Sequence, residues 1–363
     1  MNIVNSDKQL TIVMPTYNRR ERMLNQLLSI YNYGDINYYY LVIVDNCSNY
    51  DVMEAIRKTF PVEFVDNIEY HRNPINTKLG FNISLCFLFA KSKYLLQISD
   101  DDEFLSGFMD KIKLYIEKYP NVSCIQFNVG WRHGNSDGVL RNNNHNDIIV
   151  SSLKELYNSK RHSPAYFMFI GNKIYNLEAL ESYLSDIFAY NYTAVSFILP
   201  LLHSLWDSKG TFVMSDLQLG VYINADGDSW NYIKVLLGMA TLYDVEWSDG
   251  SNYNQINYIN SVLCGLMRAN IVKFLGLCVN KEPAYRNYIY NRIMTSIYRD
   301  WRKHPMEWIY VFSYRIEILT KLPVITKIIP SILTYYSDRI SSIKDQQRQS
   351  NGLMYRLYKK IKQ

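Results

Sequence analysis

Tyr94-Leu95-Leu96-Gln97-Ile98-Ser99-Asp100-Asp101-Asp102-Glu103-Phe104 is the stretch that decides how this chain folds. A short apolar run bounded by a loop suits a sheet strand. Three adjacent carboxylates where that strand ends repel one another unless positive charge faces them. A hard divalent cation with oxygen ligands is the usual partner, and Mg²⁺ or Mn²⁺ at such a place is often shared with a substrate's phosphates. The competing reading is a solvated acidic loop.

Upstream, the same pattern repeats. Leu10–Met14 reads as a strand stopped by Pro15, and Arg19–Tyr31 as a helix with Met23, Leu24, Leu27, Leu28 and Tyr31 on one face. Tyr40–Val44 reads as a second strand ending at Asp45. Asp51–Phe60 reads as a helix with Asp51 as its cap. A third strand over Ile68–Arg72, a helix over Phe81–Ala90, a helix over Phe104–Tyr119 and a strand over Val122–Val129 complete the N-terminal half. Strands alternating with helices predict an α/β fold with a mostly parallel sheet covered on both faces.

Ligands of open α/β sheets bind at the carboxyl ends of strands. Three polar groups fall there: Pro15-Thr16-Tyr17-Asn18-Arg19, then Asp45-Asn46-Cys47-Ser48, then Asp100-Asp101-Asp102. In this order they resemble the nucleotide-binding half of family-2 glycosyltransferases with the GT-A fold. That family opens with a strand and P-T-Y-N-R, continues with V-D-D-x-S and finishes with Asp-x-Asp. Here the second aspartate of the middle motif is Asn46, and the family's N-x-G is matched only loosely by Asn73, Gly80 and Asn82.

The resemblance implies roles. Pro15, Thr16, Tyr17, Asn18, Arg19 and Asp45 would hold the base and ribose of a nucleotide sugar, a UDP-sugar first. Asp100 and Asp101 would line that site, with Asp100 meeting the ribose or metal-bound water. Asp102, with Asp100, would bind Mn²⁺ or Mg²⁺. Arg19, Arg72 and Lys78 are candidate phosphate partners, against the alternative of ordinary solvated cations. Where family members carry Glu-Asp for activating the acceptor hydroxyl, this chain has Tyr190-Asn191-Tyr192-Thr193; Asp186 is the nearest carboxylate and His203 follows. Those two are the candidate catalytic groups, against a helix cap and a core histidine. Asn224–Trp230 resembles a motif of abequosyltransferase-like O-antigen enzymes, making Asp226 and Asp228 candidate acceptor-binding residues, against a plain turn.

The whole chain fits this frame. Its 363 residues, 48% hydrophobic and 20% charged, suit a globular protein of more than one domain. The expected division is 1–130 for the nucleotide-sugar half, 131–250 for the acceptor half and 251–363 for a helical C-terminal region. The net charge of +5 is concentrated: seven Lys/Arg and one Asp give residues 339–363 +6, leaving −1 for the rest. A nucleic-acid groove across the body is therefore not expected. The tail places Leu353, Met354, Leu357, Tyr358 and Ile361 on one helical face, the pattern of an interfacial helix at an anionic membrane or of a helix packed on the body or a second subunit. Five widely spaced cysteines, no signal-peptide pattern and no long apolar window lead to an expectation of a cytoplasmic protein, at the inner membrane face if its acceptor is lipid-linked.

The function expected is metal-dependent, inverting transfer of a sugar to a glycan acceptor of a bacterial surface polysaccharide. The alternatives are a nucleotidyltransferase, disfavoured by the glycine-free turn after the first strand, and a degenerate GT-A scaffold or binding protein. The missing G-x-G-x-x-G and G-K-[ST] disfavour a dehydrogenase and a P-loop enzyme.

Overall fold

The computed structural model describes residues 7–132, 137, 139, 147–159, 170–193, 196–223, 245–247, 282–295 and 328. β1 (Leu10–Thr16), β2 (Tyr39–Asp45), β3 (Ile68–Arg72) and β4 (Tyr94–Gln97) are parallel neighbours in the order β3-β2-β1-β4. β1 is buried along its whole length, and β4 likewise, as continuous apolar runs in a sheet covered on both faces should be. The crossovers are α1 (Arg20–Tyr33), α2 (Val52–Thr59) with the short α3 (Val62–Val65), and α4 (Lys78–Leu88). Asp51 caps α2 as expected, its side chain accepting from the Glu54 N–H at 2.8 Å.

Beyond β4 the sheet becomes mixed. β5 (Asp102–Phe104), β6 (Cys124–Arg132), β7 (Ile148–Val150), β8 (Lys173–Asn176) and β9 (Phe212–Ile223) extend it in the order β4-β8-β6-β9-β5, with β7 also on β9. β8 is antiparallel to both β4 and β6, β9 is parallel to β6, and β5 and β7 are antiparallel to β9. α5 (Phe108–Lys118), α6 (Leu153–Ser159), α7 (Ser185–Ala189) and α8 (Leu199–Trp206) pack around it. Together the strands form one mixed nine-stranded sheet.

Three of the boundaries that differ from the sequence reading have a plain physical cause. β1 continues through Pro15 to Thr16, because proline's fixed φ suits an extended strand and only its N–H is lost. The helix expected from Phe104 starts at Phe108, because Asp102–Phe104 is drawn into pairing with Gly220–Tyr222 and Gly107 turns the chain at φ 75°. β6 runs on to Arg132, past the end expected at Val129, because β9 supplies partners as far as Ile223.

The chain divides into two compact units, residues 1–230 with 244–255, and residues 231–243 with 256–363. In the second, α9 (Pro283–Thr295) is the described helix. Asp226, Asp228, the division expected between 250 and 251 and the basic tail lie outside the described residues.

Candidate functional site

The parallel register sets Thr16 beside Asp45 and Asp45 beside Arg72, a row along the carboxyl edge. Chain order runs outward from β1 to β3, then returns to β4 on the other side of β1. The topological switch point therefore lies between β1 and β4, where open α/β sheets bind their ligands. There the Thr16 hydroxyl donates to Asp100 Oδ2 at 2.8 Å.

Each strand end is tied to the next. Asp45 is fully buried, and its carboxylate accepts from the Ser48 N–H (2.8 Å), the Tyr70 hydroxyl (2.8 Å) and Arg72 (2.9 Å). Arg72 also donates to the Ser48 carbonyl at 2.7 Å. The turn after β1 is stapled to the loop after β2: Asn18 N–H donates to Ser48 Oγ (3.0 Å), and Asn49 N–H donates to Asn18 Oδ1 (2.7 Å). Asn18 and Cys47 both take left-handed backbone, φ 55° and 67°. Tyr17 and Lys78 are exposed at this edge.

The aspartate triplet divides into two kinds. Arg19 donates to Asp100 Oδ1 at 3.0 Å and to Asp101 Oδ2 at 2.6 Å, and Arg22 lies 3.6 Å from Asp101. The Ser99 hydroxyl also donates to Asp101. For these two carboxylates the counter-charge is arginine, so the repulsion that pointed to a cation is largely met by the protein itself. Burial still lifts the Asp100 carboxyl to about 6, against the opposing pull of Arg19.

Asp102 stands apart. Its Oδ1 is shielded from solvent and has no hydrogen-bond partner. Burial first, then the charges of Asp101 and Asp100, hold its carboxyl well above the usual range, despite the Ile223 N–H. A Cβ on Gly171 would come within 3.1 Å of Asp102 Oδ2, so a glycine keeps that carboxylate uncrowded. Among the described residues, no cluster of three His, Cys, Asp or Glu is arranged to hold a metal.

Residues 11–184 match the model of glycosyl transferase family 2. That stretch is a family-2 glycosyltransferase domain. An uncharacterized glycosyltransferase of Haemophilus influenzae is 29% identical over 116 residues, 32% of this chain and 37% of that protein. The match thus spans little more than a third of the relative's length. The structure of S. aureus TarS 1–349 in complex with UDP-GlcNAc aligns with a TM-score of 0.60 at 13% identity, over 85% of this chain and 88% of that one. TarS 1–349 in complex with UDP gives a TM-score of 0.53 at 12% identity, over 95% and 93%. At such identities the likeness is one of fold.

Beyond the matched stretch, Asp186 and His203 meet each other: His203 Nδ1 lies 2.7 Å from Asp186 Oδ2, and this bond raises the imidazole pKa. They are not brought to the strand ends. α7 runs antiparallel to α4, with Asn191 O by Gly80 and Ile187 O accepting from the Ser84 hydroxyl at 3.0 Å. Asp186 is therefore level with the middle of α4, about 10 Å below its start at 1.5 Å per residue.

The sequence reading missed Tyr70, Gly171, Asn76 and Thr77. Tyr70 lies mid-strand in β3, and its only signal is that it precedes Arg72 by two residues and so shares its face. Gly171 has none, because its neighbour Asp102 is distant in sequence. Asn73 and Asn82, a loose motif match, are in direct contact at 2.9 Å.

Proposed function

We propose that this chain transfers a sugar from a nucleotide sugar, a UDP-sugar first, to a glycan acceptor, with inversion and with a divalent cation. The observation that carries the reading is the strand-end array, Thr16–Asp45–Arg72 beside Asp100–Asp102, at the switch point of a family-2 domain. The likeness to a protein whose structure holds UDP-GlcNAc supports the choice of donor.

In this reading the Pro15–Arg19 turn and the Asp45–Ser48 loop, stapled by Asn18, receive the base and ribose. Arg72 fixes Asp45, Arg19 fixes Asp100 and Asp101, and exposed Lys78 faces the phosphates. The unpartnered, shielded Oδ1 of Asp102 fits a metal. Such a carboxylate gains most from a cation, which would complete its shell with substrate oxygens and water. When bound, Mn²⁺ or Mg²⁺ supplies Lewis-acid stabilisation of the departing nucleoside diphosphate.

The acceptor proposed is a lipid-linked glycan of a bacterial surface polysaccharide, reached from the inner membrane face. The +6 charge of residues 339–363 and their amphipathic pattern support attachment to an anionic surface. No helix among the described residues is long and apolar enough to cross a membrane.

Calorimetry with UDP, GDP, dTDP and CDP, each with and without Mn²⁺, tests the proposal. UDP binding is expected to tighten with Mn²⁺. Asp102→Ala should remove that gain, costing at least the ~10–100-fold that outer-shell partners of a metal cost. Failure of all four nucleotides to bind in a metal-dependent way rejects the reading.

A further inference from the structure

Asn46 stands at the end of β2, where the family pattern has a second aspartate, and it is buried. Its Oδ1 accepts from the Thr77 N–H at 2.9 Å, the Thr77 hydroxyl at 2.8 Å and Asn73 Nδ2 at 3.1 Å. Its Nδ2 donates to Asn76 Oδ1 at 3.0 Å. That same Asn76 oxygen accepts from the Lys78 N–H at 2.9 Å. On the inner side, Asn73 Nδ2 also donates to Asn82 Oδ1, and Asn82 Nδ2 donates to the Val44 carbonyl at 3.2 Å.

Backbone groups, which cannot reverse their polarity, set the direction of every bond in this chain. The Lys78 N–H requires an oxygen from Asn76. The Thr77 N–H requires an oxygen from Asn46. Asn46 must therefore show its other polar atom to an oxygen, and that atom has to be a donor. An amide satisfies both demands. A carboxylate at 46 would set one acceptor against another.

The loop so organised begins at the site's edge, where Asn73 N–H donates to Asp45 O at 2.8 Å, and ends at Lys78, which holds φ 69°. A side chain beyond glycine keeps left-handed backbone only where its surroundings impose it. We propose that Asn46 is a positioning residue: through Asn76 and Thr77 it sets the Asn73–Lys78 loop, and with it Lys78, for the diphosphate of the donor. This rests on the nucleotide-sugar reading given above.

The test compares one chemical change at two places. Asn46→Asp removes the donor that Asn76 needs. Asn76→Asp keeps both of its acceptances. With UDP and Mn²⁺ at pH 8, Asn46→Asp should weaken binding by ~10–100-fold, the factor for a buried polar group left unmatched, and Asn76→Asp by less than ~3-fold. In an Asn76→Ala background, where the opposing oxygen is gone, Asn46→Asp should cost under ~3-fold, so the two sites are not additive. At pH 5.5 the Asn46→Asp protein should recover relative to wild type, because a protonated carboxyl supplies the missing O–H donor.

Equal losses at 46 and 76, additivity, or a flat pH response would each overturn the proposal. The melting temperatures of the free proteins provide a parallel readout. Coupling seen there but not in the Kd means that the network holds the fold alone, and the positioning role is overturned. If wild type binds none of the four nucleoside diphosphates, the functional reading falls first, and the 46–76 coupling in Tm is still scored separately.

Discussion

Lys173 lies fully buried in β8, opposite Gln97 on one side and Gln126 on the other. Its Nζ donates to Asn172 Oδ1 at 3.0 Å and sits 5.8 Å over the Phe197 ring. Burial pushes its pKa down to about 7, from the 10.5 of an ordinary lysine. Between those two values the unfolded chain binds the proton and the folded one does not, so stability rises with pH. The cost of the buried ammonium is felt in full below pH 7 and disappears above the ordinary lysine value. Lys173→Met should stabilise the protein by up to a few kcal/mol at pH 6.5, with the gain shrinking toward pH 10. Denaturant titrations at both ends check this. An equal effect of the substitution at the two pH values would show that the lysine's charge is not what matters. The sequence reading does not single out Lys173, because its opposition to two glutamines comes from pairing with β4 and β6, which no local pattern reveals.

At the level of elements, α4 lies close against the turn that follows α7. A Cβ on Gly80 would lie 2.0 Å from the Asn191 carbonyl oxygen, a backbone atom that cannot swing aside. Gly80→Ala should therefore cost at least the ~1–3 kcal/mol of overpacking and lower Tm accordingly; an unchanged Tm would mean that α7 is free to retreat. Gly80 was legible in the sequence only as a loose motif match, because what it meets is far along the chain. The tie between α7 and α8 has a different signature. Asp186 raises the His203 pKa above 6.5 in the folded state, so their bond stabilises most below the unfolded value and fades as pH rises through the folded one. Asp186→Asn should cost about 1 kcal/mol near pH 6 and less at pH 8, leaving UDP affinity unchanged. A pH-independent loss of Tm, or weakened UDP binding, would contradict that account. The cap at Asp51, by contrast, was readable outright, since a cap and the N–H it serves are neighbours in sequence.

For the molecule as a whole, charge is unevenly placed: +6 in residues 339–363 and −1 elsewhere. If the tail is the membrane contact, deleting it should abolish co-sedimentation with anionic liposomes at low salt and leave UDP affinity within about twofold. Undiminished sedimentation would remove the tail from the proposal. The amino-acid sequence by itself determined the α/β alternation, the first four strands and the polar groups after β1, β2 and β4, because periodicity, caps and strand ends are local properties of a chain. Only the tertiary structure decided that β4 lies across β1 from β2, which brings Thr16 to Asp100. It alone showed that Arg19 neutralises Asp100 and Asp101 while Asp102 keeps an oxygen without a partner, and that the Asn46 amide bonds Asn76 with one end and Thr77 with the other. Hydrogen-bond polarity, burial and close approach depend on which distant residues meet, and that is settled by packing.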